Sequence, residues 1–127
     1  MGYDVELVQI GVPAGTKFPV EGATAKKLRA QAGTLADPKV VRVALLGVAG
    51  CRPGPSETID YLGRGLNYAR FAIRRDAIHV DNNCSAIELL KVYQPLTEVL
   101  ANLLIFDLQS QQLHDAESFR QWWARPL

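Results

Sequence analysis

Cys84, His79 and Asp81 are the residues of this chain whose types and spacing come closest to chemistry. Cys84 stands just ahead of a helix start, where the positive end of the helix dipole lowers a thiol pKa and favours the nucleophilic thiolate. A Cys-His pair would need the two side chains within hydrogen-bond reach, and nearness in sequence does not supply that, because His79 points from a strand and Cys84 from the turn after it. The plainer reading is a small buried cysteine. His79, Asp81, Cys84, Asp107 and His114 also offer metal-type donors, but they show no Cys-x-x-Cys or His-x-x-x-His spacing, so no metal and no cofactor are expected. Asp107, set in an apolar run, is expected to hydrogen-bond the backbone of a turn.

The second candidate is the run Gly50-Cys-Arg-Pro-Gly-Pro-Ser56, a glycine-containing turn that brings Arg52 towards a helix start at Ser56. Free N–H groups, the helix dipole and a guanidinium would together hold an anion, although neither the P-loop nor the dinucleotide fingerprint is present. A rigid connection is the plainer reading. Arg64, Arg70, Arg74 and Arg75 gather around a hairpin with Tyr68 and Phe71, a mixture that can stack on single-stranded nucleic acid. Phe71 shares an apolar face with Ile73 and no RNA-binding signature accompanies it, so nucleic acid is not an expected partner. Trp122 and Trp123 lie about 100° apart on a helix, which directs one of them outward as an anchor for a protein partner or a second copy of the chain, or spreads both over the core.

The elements that must position these residues are readable from their local signals. Ser85 and Glu88 form a capping box, and the helix after it carries Ala86, Leu89, Leu90, Tyr93, Leu96 and Leu100 on one side and Glu88, Lys91, Gln94 and Glu98 on the other. Pro95 falls on the polar side. Asn102 closes this stretch and Leu103 to Leu108 reads as a buried strand. Upstream, Asp4 to Val12 reads as a strand with both faces partly covered, Phe18-Pro19-Val20 as an apolar plug, and Ala23 to Ala32 as a helix. Asp37-Pro38 starts a second helix to Leu46, although its valines would also suit a strand. Two prolines and three glycines mark Gly47 to Pro55 as loop; Pro55 or Ser56 opens a further helix with Ile59 and Leu62 inward, ended by Gly63 and Gly65. Asn67 to Ile73 and Ala77 to Asp81 form a β-hairpin with Ala69, Phe71 and Ile73 on one face. Leu113-His114 pairs back as a short edge strand, and Asp115 caps a last helix, Ala116 to Ala124.

A chain of 127 residues with 48% hydrophobic and 21% charged residues is a globular protein, most simply one domain. Two cysteines are too few for a disulfide scaffold, no leader precedes Tyr3 and no apolar run spans a bilayer, so a cytoplasmic protein without membrane attachment is expected. The net charge of +1 conceals two blocks: residues 17–75 hold 11 Lys or Arg against 4 acids, and residues 76–117 hold 1 Lys against 7 acids. The simpler expectation is that the blocks interleave in space rather than form a basic and an acidic pole.

The closing run, from Leu103-Leu-Ile-Phe-Asp-Leu-Gln through His114-Asp-Ala-Glu-Ser-Phe to Trp123, resembles the end of small uncharacterised bacterial α/β proteins, some grouped with immunity proteins of secreted toxin systems. The resemblance covers about a sixth of the chain and brings no catalytic residues with it; Gln111 stands where such turns often carry Gly. It implies a partner protein, in its most concrete form a bacterial toxin to be neutralised. Taken together, the residues indicate a single α+β domain, a small mixed or antiparallel sheet packed by helices, that binds protein. The alternative is a small enzyme or anion-binding protein using the Cys84/His79 region or the Arg52 loop.

Overall fold

The computed structural model describes residues 3–35 and 37–123, apart from the side chains of Trp122 and Trp123. In chain order the elements are β1 (Val5–Gln9), α1 (Gly22–Ala30), α2 (Pro38–Leu46), β2 (Cys51–Pro53), β3 (Ile59–Leu62), β4 (Tyr68–Ile73), β5 (Ile78–Asn82), α3 (Ala86–Thr97), β6 (Leu103–Asp107), β7 (Gln112–His114) and α4 (Ala116–Trp123). The strands form one seven-stranded sheet in the order β2-β3-β4-β5-β1-β6-β7, every neighbouring pair antiparallel. The α+β architecture expected from the residues is therefore present, in its antiparallel form.

Period-two alternation sorts the side chains between two cores. On one face, Val5, Leu7, Ile59, Phe71, Ile78, Val80 and Ile105 are buried beneath Val41 and Leu45 of α2, Leu89, Val92, Tyr93 and Leu96 of α3 and Phe119 of α4. The opposite face is apolar only towards the β7 side, where Val8, Ile10, Leu104, Phe106 and Leu113 meet Ala25 and Leu28 of α1 and the plug residues Phe18 and Val20. Val20 also exchanges both backbone hydrogen bonds with Leu113, at 2.9 Å each, which closes the β7 edge. The rest of that face is polar and carries a cross-strand row of alternating charge, Arg52, Asp60, Arg70 and Asp81, in register over four strands. Opposite charges facing each other across strands stabilise the pairing, and a polar face needs no helix over it.

The hairpin and its register, the helix at Pro38, the short β7 and the α4 cap all form as their signals indicate. Asp37 accepts from Lys39 N at 2.9 Å and Asp115 from Ser118 N at 2.8 Å. Three expectations are corrected. Cys51 to Pro53 is an edge strand despite its proline, because the pairing partner of Pro53 lies on one side only and the other side is open. The helix expected from Ser56 is a single 3₁₀ turn, Pro55 to Glu57, and Ile59 to Leu62 is instead a strand pairing on both sides. The apolar spacing of three between Ile59 and Leu62 suggested a helix, but the sheet uses the alternate pair Ile59 and Tyr61, and Leu62 is exposed. Lastly, the capping box is half made: Ser85 Oγ accepts from Glu88 N at 3.3 Å, whereas Ser85 N donates to Asn67 Oδ1 at 2.8 Å and not to Glu88.

Phe71 is fully buried at the centre of this arrangement. Replacing it with alanine is expected to lower stability by about 3–5 kcal/mol. Arg74→Ala in the exposed hairpin turn should shift it by less than about 0.5 kcal/mol; urea unfolding of the two variants, with equal losses, would refute this placement of the core.

Candidate functional site

A groove of about 750 Å³ lies between the second half of α2, the chain from Gly47 to Gly50, the end of β3 and one side of α3. Its walls are apolar: Val43, Ala44, Val48, Leu62, Pro95 and Val99. Its polar groups are Tyr61, Glu88, Lys91 and Arg64. Tyr61 comes from the inner face of β3, and Glu88 and Lys91 stand one turn apart on α3. Two glycines let the backbone close around this group. A side chain at Gly50, whose φ is +91°, would also meet the Leu62 carbonyl at 2.8 Å, and one at Gly63 would meet a Glu88 carboxylate oxygen at 2.7 Å.

Glu88 is the residue the sequence misplaces. Helical spacing assigns it to the solvent side with Lys91, yet it is only 5% exposed. Its carboxylate receives the Tyr61 hydroxyl at 2.6 Å and the Lys91 ammonium at 3.1 Å, with the Arg64 backbone N–H adding a third donor. These donors hold its pKa below the ordinary carboxylate value, the Tyr61 bond contributing most, against the opposing effect of burial. The same contact, after burial, pushes the Tyr61 phenol upward. A general base at neutral pH needs a carboxylate pKa raised towards 7, so this pair is an ionised acceptor and a protonated donor set for holding rather than for proton transfer.

The residues singled out in the sequence are dispersed. His79 lies on the polar face of the sheet, 3.6 Å from an Asp4 carboxylate oxygen, while Cys84 is buried on the opposite face under α3, so the two do not meet. Burial pushes the Cys84 thiol up to about 11, with the Glu88 charge adding to it, and burial raises Cys51 to about 11 as well. The helix-dipole argument for a thiolate at Cys84 is thus outweighed by desolvation. Asp81 is exposed and continues the row through Arg70. Arg52 and Ser56, expected together, are parted: Arg52 stands in register with Asp60, and Ser56 turns towards the start of α2. Of the hairpin arginines, Arg70 is held by Asp60 at 2.7 and 3.1 Å with its guanidinium 5.9 Å from the Tyr68 ring, and Arg64 borders the groove. The side chains of Trp122 and Trp123 fall outside the described residues.

Asp107 makes the turn bond expected of it, accepting from Gln109 N at 2.9 Å, and also receives the Tyr3 and Ser110 hydroxyls. The charge blocks meet in part, since Arg29 of the basic block bridges Asp76 of the acidic block at 3.3 Å; Arg29 also pairs with Glu6, outside both blocks, at 2.9 Å. No three His, Cys, Asp or Glu side chains gather into a metal-type cluster among the described residues, and no helix among them is long and apolar enough to cross a membrane. The fold and site define an antiparallel α+β protein with an apolar groove built over an ion-paired glutamate. No family model matches the chain, and no curated protein or solved structure matches it.

Two outcomes follow from the electrostatics. Because the folded Glu88 pKa is depressed, its contribution to stability is complete above the unfolded value, about 4.3, and is lost as pH falls through the folded value. The stability gap between wild type and Glu88→Gln in urea should therefore be present at pH 7 and shrink on acidification; a gap that stays constant would contradict the ionised assignment. Alkylation of Cys84 in the native protein should be slow at pH 7 and climb towards pH 11, whereas rapid labelling at pH 7 would show an activated thiolate.

Proposed function

We propose that this chain is a protein-binding domain that receives an apolar segment of another protein in the groove between α2 and α3. The observation that carries the reading is the exposure of large aliphatic side chains around that one cavity: Val43 is 72% exposed, Val99 50% and Leu62 43%, all three on its walls. Ile87, 63% exposed, stands one turn before Lys91 on the same side of α3. Scattered exposed aliphatics are ordinary on a folded protein, but several around one concave site mark a surface that becomes buried on association.

The titratable groups support binding over catalysis. Glu88 is held ionised, Tyr61 and both thiols are held protonated, and none is tuned to exchange a proton near pH 7. The most concrete form of the reading is neutralisation of a bacterial toxin in the cytoplasm, which rests on the resemblance of the closing segment to immunity proteins. Co-expression with the product of a neighbouring toxin-like gene tests it. Wild type should form a stable complex and protect the cell, and Val43→Asp with Val99→Asp should abolish both while leaving the circular dichroism unchanged, since these are surface positions. A complex that survives both substitutions would place the partner elsewhere, and a strict monomer with no partner would count against protein binding itself.

A further inference from the structure

We propose a second site, independent of the groove, at the opposite end of α2: a pocket for a phosphoryl group, held by Lys39 and Arg42 from the helix and Ser56 from the turn ahead of β3. These three residues border a separate, half-open cavity of about 390 Å³ whose other lining residues are Pro38, Glu57, Thr58, Ala72 and Ile73. Lys39 and Arg42 are three residues apart on α2, so their side chains rise from one face of the helix. Lys39 makes no ion pair among the described residues. Arg42 spends one Nη on the Glu57 carbonyl at 2.9 Å, which fixes its guanidinium at the cavity and leaves its other N–H groups to point elsewhere.

The turn is held open in a conformation that its residues do not favour. Ser56 and Glu57 lie consecutively in the left-handed region, at φ +51° and +64°, although neither is glycine. Thr58 N to the Pro55 carbonyl at 3.0 Å, Gly54 N to the Thr58 carbonyl at 2.8 Å and the Arg42 bond pin it there. Strained residues that the surroundings over-determine concentrate at ligand clamps, and here the strained turn places Ser56 on the same cavity as Lys39 and Arg42. The free N–H groups at the start of α2 are not the basis of the site, since Asp37 already caps them. Glu57 lines the same cavity, its carbonyl held by Arg42, and the Asp37 carboxylate is bound to the Lys39 backbone N–H. A phosphate dianion, with three acceptor oxygens for a guanidinium, an ammonium and a hydroxyl, fits the donor set.

The test is a ¹⁵N-edited NMR titration at constant ionic strength with inorganic phosphate, with an O-phosphoserine amide and with acetate. Saturable shifts are expected at Lys39, Arg42, Ser56 and Glu57 for the phosphoryl compounds and not for acetate. Lys39→Ala should weaken binding by about ten-fold or more, as loss of one charge-assisted contact does, while Lys26→Ala on α1 leaves it unchanged. Arg42→Ala would also release the Glu57 carbonyl, so Arg42→Lys serves beside it, retaining charge and losing affinity. Tighter binding of the ester than of inorganic phosphate would identify a carried phosphoryl group, and equal binding a free phosphate. Shifts that do not saturate, that spread equally over the lysines of α1, or that saturate in Lys39→Ala with undiminished affinity would overturn the site.

Discussion

The inner face of the sheet is the constraint on which everything else depends. One row of residues runs in register across all seven strands, Pro53, Ile59, Phe71, Val80, Val5, Asp107 and Gln112. A second row, Ile73, Ile78, Leu7, Ile105 and His114, lies beside it. Because side chains alternate strictly, a slip of one residue in any pairing would turn buried aliphatics to solvent, so this face fixes the registers together. It also requires cover over its whole width, and α2, α3 and α4 supply it.

That requirement explains the groove. The groove lies where α2 and α3 both border the end of β3. Tyr61 faces inward there because Ile59 does, two residues earlier. Its hydroxyl must find a partner under a covering helix, and Glu88 takes it. The carboxylate in turn is tolerated in that place only because Lys91 and the Arg64 N–H accompany the phenol, since a buried charge without partners would cost more than the fold can spare. One polar contact, forced by a strand's alternation, thus becomes the floor of the cavity.

The polar face shows the same logic with opposite sign. Its β7 side is apolar and covered by α1, whereas its β2 side carries Arg52, Asp60, Arg70 and Asp81 in an alternating row. The Asp60 carboxyl is held below its ordinary pKa, chiefly by its Arg70 hydrogen bonds. The arginines that the sequence offers as nucleic-acid contacts are in part consumed by this row, and the basic and acidic blocks of the chain are joined in part by Arg29.

Much of the fold was legible locally, because caps, turns and alternation act within a few residues. Asp37-Pro38, Ser85, Asp115 and the β4–β5 hairpin with its inward Phe71 needed no distant partner to be read, and Asp107 made its turn bond with its own neighbours. What the sequence could not decide depends on contacts made far along the chain. Ile59 to Leu62 became a strand because β4 pairs with it; Ser85 N went to Asn67 because the β3–β4 turn reaches the start of α3; Glu88 left the solvent side because Tyr61 waits beneath it. Cys84 and His79, five residues apart, ended on opposite faces of one sheet, and Arg52 and Ser56, four apart, ended at different sites. Proximity along a chain is set by covalent geometry, but a site is set by which faces are buried together, and only the tertiary structure decides that.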